Sequence, residues 1–183
     1  GGEQLTEVEL LQNCIFLLNA GHETTTNLIG NGLVALQAHP EQQQWLQHAL
    51  ANHRQDAVAT EGVLTSAVDE ILRYESSNQW GNRRAVKACC IGGVELPAGA
   101  LITLCIGAAN RDPAVFEQPE AFQLARTPNR HLAFGFGVHQ CAGLSLARLE
   151  GRVAIGRFLQ RFPAYKLTAS PVRGGRARFR GFL

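Results

Sequence analysis

The sequence predicts a mainly α-helical chain with small β-sheets, and three observations carry that expectation. Apolar residues at helical spacing, Val8, Leu11, Ile15, Leu18 and onward, run to about Ala38 behind a Thr6/Glu9 capping box. A second helical run, Leu144 to Phe162, follows a glycine-rich stretch. Between them, glycine and proline turns cut residues 85–105 into short runs of β type. A chain of 183 residues, 45% of them hydrophobic, is long enough for one domain with a sizeable core. No repeat, low-complexity tract or linker divides residues 1–183.

Taken in order, the first helix exceeds thirty residues and at 1.5 Å per residue spans on the order of 50 Å. Its apolar character suits a central buried helix, and His39-Pro40 stops it. Pro40 at a first turn then opens a helix through about Leu50, apolar at Trp45, Leu46, Ala49 and Leu50. Glu61 to Glu75 reads as a third helix, with Leu64, Val68, Ile71 and Leu72 on one face. Glu70 and Arg73 are neighbours on it at i, i+3. Ser76 to Arg84 reads as irregular. Strands follow at about Ala85 to Ile91 and Val94 to Leu96, joined by a Gly92-Gly93 turn. Pro97-Ala98-Gly99 turns the chain again into a strand at Leu101 to Cys105. Asn110-Arg111-Asp112-Pro113 opens a long irregular passage to Arg130. On the helix from Leu144, Arg148, Arg152, Arg157 and Arg161 read as a mostly solvated face.

Composition excludes several classes. A formal net charge of +2 points to no particular partner. The arginines at 173, 176, 178 and 180 lie among glycines without the clustered aromatics of a nucleic-acid surface. Apolar runs at Cys14 to Leu18 and Leu101 to Ala109 fall short of the about 18 residues a membrane helix needs, and no signal-peptide pattern opens the chain. Five cysteines without framework spacing favour a reducing cytoplasm. With no methionine present, Gly1 is not the expected translation start, and the sequence looks like part of a longer chain. Gly1-Gly2 reads as a cloning scar or simply as residues before a helix.

Two stretches carry chemistry. Phe134 to Gly143 reads Phe-Gly-Phe-Gly-Val-His-Gln-Cys-Ala-Gly. It places Cys141 at a helix N-terminus, where the macrodipole and unpaired N–H groups favour negative charge on sulfur. Gly135, Gly137 and Gly143 let backbone approach a flat, bulky ligand. A lone cysteine there also reads as a buried small hydrophobe. A zinc site is poor, since His139-x-Cys141 offers one ligand pair and no second. The other stretch, Ala20-Gly21-His22-Glu23-Thr24-Thr25, puts small and hydrogen-bonding residues inside an apolar helix. Glycine and threonine weaken a helix locally, so an opened groove is expected there. The string lacks the second histidine of a zinc-protease motif.

The first stretch resembles the haem-binding loop of the cytochromes P-450, Phe-Gly-x-Gly-x-(His or Arg)-x-Cys-x-Gly, and meets every fixed position. The resemblance implies that Cys141 is the axial ligand of haem b (iron-protoporphyrin IX). It also implies that His139 contacts a propionate, and that Phe134 and Gly135 belong to the cofactor-binding loop. The second stretch resembles the family's oxygen-binding segment, (Ala or Gly)-Gly-x-(Asp or Glu)-Thr. By that match Thr24 hydrogen-bonds dioxygen and Glu23 helps deliver the protons that O–O cleavage needs. Glu70-x-x-Arg73 resembles the family's Glu-x-x-Arg motif, with Arg126 as third member of a buried structural triad. Gln123 stands where the family often has Asp. Counted back from the hairpin, Arg83 matches a propionate-binding arginine, with Arg84 as the adjacent competitor and His131 as a further propionate neighbour. Asn78, Gln79, Trp80 and Gly81 fall on a substrate-contacting stretch, where Trp80 is bulky.

The resemblance covers nearly all of the chain yet corresponds to the C-terminal half of a complete member. It implies a soluble bacterial-type monooxygenase acting on a small hydrophobic organic substrate with dioxygen. Electrons come from a ferredoxin or flavodoxin-type donor with its reductase, docking on a basic proximal surface that includes some of the arginines after Leu144. Neither nucleic acid nor membrane is an expected partner. The rival readings are a peroxide-using or isomerising haem-thiolate enzyme, and a truncated, non-catalytic haem-binding fragment.

Overall fold

The computed structural model of the chain describes residues 4–174 and 178–182, so Gly1-Gly2 and Arg176 lie outside the described residues. Helix α1 spans Glu7–Ala38. At its start the Thr6 hydroxyl accepts from the Glu9 N–H and the Glu9 carboxylate accepts from the Thr6 N–H, which is the reciprocal capping expected of that pair. Helix α2, Pro40–Asn52, begins on its proline as expected. Helix α3, Ala57–Tyr74, starts before the expected Glu61 because Asp56 is its N-cap, accepting from the Ala59 N–H at 2.9 Å.

The strands differ from expectation at one end. Gly81–Arg84 forms β1 inside the stretch read as irregular, pairing antiparallel with β4, Leu101–Leu104, so that Arg83 faces Ile102. Ladder pairing, not apolar alternation, makes this strand. The single strand expected from Ala85 to Ile91 is interrupted. Ala85 is buried and bonds both ways to the turn after β3, donating to the Ala100 carbonyl and accepting from the Gly99 N–H. The chain then swings outward before β2, Cys89–Ile91, pairs with β3, Val94–Leu96. Positive φ at Gly92 and Gly93 gives that hairpin its two-residue turn. A short helix, α4 (Ile106–Ala109), precedes the irregular passage, and α5 spans Leu144–Arg161.

The core lies where the second half of α1 meets α3 and α5. Leu28, Ala35 and Leu36 of α1 cluster with Ala67, Val68, Ile71 and Leu72 of α3, and with Ile155 and Leu159 of α5. Leu46 and Leu50 of α2 join them, as do Phe122 and Leu124 of the irregular passage. Close helix approach depends on small residues. A Cβ at Gly32 would lie 3.0 Å from Ile71 Cδ1 and 3.1 Å from Ile155 Cδ1. The expected buried helix is therefore realised only in part. Before Gly21 the apolar residues of α1 are exposed, because no described element packs over them.

Candidate functional site

The Cys141 loop is folded by its own backbone. The Phe134 carbonyl accepts from the Cys141 N–H at 2.8 Å, the Leu132 carbonyl from the Gly135 N–H at 2.8 Å, and the Gly137 carbonyl from the Gln140 N–H at 3.0 Å. Gly135 and Gly137 sit at φ 68° and 71°, the left-handed region that a side chain disfavours. Residues Gly137–His139 form a 3-10 turn. Gly143 is the N-cap of α5 and has no side chain to cap it; the first N–H of that helix, on Leu144, turns back to the Cys141 carbonyl at 3.4 Å, and the exposed Cys141 thiol stands beside this helix start. On the outer side of the loop, Phe136 is 81% and Val138 97% exposed.

Glu70 on α3 is the hub beneath this loop. Arg73 grips its carboxylate with both Nε (2.7 Å) and an Nη (2.8 Å), and Arg126 Nε reaches it at 3.1 Å. Asn129 Nδ2 (3.1 Å) and the Gln123 N–H (2.8 Å) donate to the same group. Arg73 spends its remaining donors on the carbonyls of Asn110, Pro119 and Ala121. A buried carboxylate with every lone pair engaged by charged or backbone donors is held in one position. Gln123 contributes its backbone N–H to this network and turns its side chain to Gln118, so the hub needs no aspartate there. Asn110, fully buried, links the hub to the Cys loop, for its Oδ1 accepts from the Leu132 N–H at 2.6 Å.

Asp69, next to Glu70, holds the other side of the loop, and its sequence neighbourhood gave no sign of that. It accepts from Arg148 Nε of α5 at 2.7 Å and contacts His131 Nε2 at 3.2 Å. Burial pushes the Asp69 carboxyl upward, but the hydrogen bonds from His131 and Arg148 outweigh it and hold the group below its ordinary value. His131 Nδ1 accepts from the Ala133 N–H, so both ring nitrogens of this residue have partners within the chain. The Arg148 guanidinium covers the Phe134 ring at 4.8 Å. Arg152 is likewise tied back, to Glu61 and Thr65 on α3, so these two arginines belong to the α3–α5 contact and not to a wholly solvated face.

In the stretch expected to serve oxygen, α1 stays α-helical through residues 20–25, with no opened turn. The threonines explain it. Thr24 Oγ1 donates to the Ala20 carbonyl at 2.8 Å and Thr26 Oγ1 to that of His22 at 2.8 Å, so these hydroxyls bond back into the helix without breaking it. A cleft of about 540 Å³ runs between α1 and α5, lined by Gly21, Thr25, Thr26 and Ile29 opposite Leu149 and Val153. Helical geometry puts Glu23 and Thr24 on another face of α1 from this cleft.

The remaining expected residues are spread over the molecule. Arg83 is exposed on β1, donating to the adjacent Asn82 carbonyl, and strand alternation turns Arg84 to the opposite face. His139 is exposed on the loop. No hydrogen bond or ion pair joins Arg83, His139 and Cys141 to one another. Asn78 bridges to Phe179, and the Gln79 N–H donates to the Arg178 carbonyl, which brings the tail alongside the 78–81 stretch. In the tail Arg173 and Arg180 pair with Glu75, while Asn31 of α1 donates to the Arg180 carbonyl and accepts from Arg173.

These surroundings suit a flat, largely apolar macrocycle with an anionic edge. The loop presents one soft sulfur ligand, glycines without Cβ, exposed apolar side chains and the exposed imidazole of His139. Among the described residues no cluster of three or more His, Cys, Asp or Glu is arranged to hold a metal ion by itself.

Comparison with known proteins agrees. The sequence profile of the family described as Cytochrome P450 matches residues 1–171. Cytochrome P450 107B1 of Saccharopolyspora erythraea is 44% identical over 171 residues, covering 93% of this chain and 40% of the relative. Cytochrome P450 monooxygenase PikC of Streptomyces venezuelae is 42% identical over 171 residues, covering 93% of this chain and 38% of the relative. The crystal structure of P450BioI in complex with a hexadec-9Z-enoic acid-ligated acyl carrier protein superposes with a TM-score of 0.87 at 42% identity, covering 99% of this chain and 44% of that one. The chain thus spans about 40% of the length of the curated relatives it matches. Relatives of this kind bind haem b through a cysteine thiolate, and with a match this extensive the chain belongs to the cytochrome P450 family.

Proposed function

We propose that this chain is the haem-thiolate portion of a monooxygenase that places one atom of dioxygen into a small hydrophobic organic substrate. The observation that carries the reading is the Cys141 loop, in which an exposed sulfur stands at the uncapped start of α5 behind two glycines of positive φ. Haem, held through Cys141, supplies the redox chemistry that divides dioxygen between the substrate and a water molecule at the expense of two electrons and two protons.

The chain's own residues take defined roles around it. Cys141 supplies the ligand sulfur, and Phe134 and Gly135 shape the loop that carries it. Arg83 and His139 take the anionic edge by charge-assisted hydrogen bonds. His131, engaged by Asp69, acts as a strut of the loop and not as a free donor. Thr24 keeps its lone pairs while donating to Ala20, so its hydroxyl can accept from a water, and Glu23 on the same turn is the acid that replenishes that water's proton. Glu70, Arg73 and Arg126 fix the support below. Electrons arrive from a ferredoxin or flavodoxin-type donor with its reductase, on the basic side of α5. The five unpaired cysteines agree with a cytoplasmic location, and no helix of the described residues is long and apolar enough to cross a membrane.

A second reading, haem binding without turnover, is favoured by the bare apolar surface of α1 before Gly21. Turnover separates the two. The haem-loaded protein with NAD(P)H, ferredoxin and reductase should consume dioxygen in the presence of a hydrophobic substrate and release hydroxylated product. Thr24→Ala should keep the oxygen consumption but divert it to peroxide. Product formed only from added peroxide would overturn the electron-donor reading, and no product from either source would favour the non-catalytic one.

A further inference from the structure

Asp69 and Arg148 form an ion pair at the edge of the Cys141 loop that the oxygen chemistry does not use. The pair joins three elements. Asp69 projects from α3, Arg148 from the second turn of α5, and His131 from the segment entering the loop. Its cationic member lies on the Phe134 ring, at 4.8 Å, and the Phe134 backbone is bonded directly to the ligand residue through the Cys141 N–H. His131 packs near the same ring, centroids 5.8 Å apart. Both charged side chains are partly buried, at 21% and 30% exposure, so water screens them incompletely.

We propose that Asp69 and Arg148 are positioning residues whose paired charges set the reduction potential at the Cys141 site, Asp69 neutralising a cation that is one aromatic ring away from the ligand loop. The inference rests on the haem-thiolate reading above. With haem held there, an electron taken from the donor protein or from an electrode would add a negative charge at the ligand side of the loop. An unbalanced cation nearby favours that charge and an unbalanced anion opposes it. Asp69→Asn keeps the shape of the side chain and leaves Arg148 uncompensated, so it raises the potential. Arg148→Gln leaves Asp69 uncompensated, so it lowers it. A purely structural pair behaves otherwise, because losing either partner loosens the same loop and moves every readout in the same direction.

The test is spectroelectrochemical titration of the haem-loaded protein and of the Asp69→Asn, Arg148→Gln, double and Arg148→Lys variants, each first scored for the thiolate-type Soret band of its reduced carbon monoxide complex. The expected result is opposite displacement in the single variants. At a fixed electrode potential the ratio of reduced to oxidised protein should change on the order of fivefold each way, as for one unit charge in partly buried surroundings. The double variant and Arg148→Lys should return towards the parent. Same-direction shifts in the two single variants, or no shift in either with the thiolate band intact, would overturn this inference alone. A parent protein without the thiolate band would overturn the haem-thiolate reading and this inference with it.

Discussion

In the second half of α1 Leu28 is 1% exposed and Leu36 0%, whereas in the first half Leu11 is 56% and Leu18 72% exposed. Both halves carry the same kind of side chain on one continuous helix. What differs is the neighbour. From Leu28 onward, α3 and α5 approach so closely that glycines at 32 and 151 are needed at the crossing. Before Gly21 none of the described elements covers the helix. An apolar stripe thus marks a surface that requires a partner, and burial follows only where one is present. The difference also divides the candidate site. Its sulfur side rests on a fully packed scaffold, while its oxygen side lies at the boundary between the covered and bare halves of α1.

The largest effect should come from breaking the scaffold. Glu70→Gln leaves Arg73 as a buried cation without its counter-charge, and should cost about 3–5 kcal/mol in urea unfolding, enough to abolish a folded product. Asp69→Asn should cost less, about 1.5–3 kcal/mol, the range for hydrogen bonds to a charged group. Its pH dependence has a defined sign. The folded carboxyl is held below its ordinary value by His131 and Arg148 against the opposing push of burial. Its contribution is therefore complete above about pH 4 and fades as pH falls through the lower folded value. Unfolding curves collected down the acid range should be flatter for Asp69→Asn than for the parent. Gly32→Val should cost about 1–3 kcal/mol, since a Cβ already meets Ile71 and Ile155 and the added methyls have no room. At the bare end, Leu17→Ser should change stability by less than about 0.5 kcal/mol while reducing binding of an apolar dye. A Leu17→Ser cost equal to that of Gly32→Val would mean that the first half of α1 is covered in solution.

Much of this was legible because it is local. The Thr6/Glu9 reciprocal cap, Pro40 at a first turn, the Gly92-Gly93 hairpin and the glycines around Cys141 are each written within a few residues of where they act. Features missed are those made by distant partners. Gly81–Arg84 has no apolar alternation and becomes a strand only because Leu101–Leu104 pairs with it. Asp69 looks like any exposed acid on a helix, and its partners His131 and Arg148 arrive from elsewhere in the chain. The back-bonding of Thr24 was hidden for another reason, since propensity scales record threonine as a weak helix former without recording which carbonyl its hydroxyl takes. The bare half of α1 shows the limit from the other side, for periodicity reports that a face is apolar and is silent on what covers it.

All of these features converge on one sulfur, and its role can be tested without knowing the substrate. The haem-loaded protein, reduced with dithionite and saturated with carbon monoxide, should show the red-shifted Soret band of thiolate ligation, and Cys141→His should lose that band while retaining bound haem. A Cys141→His protein that keeps the thiolate-type band would contradict the assignment of Cys141 as the axial ligand.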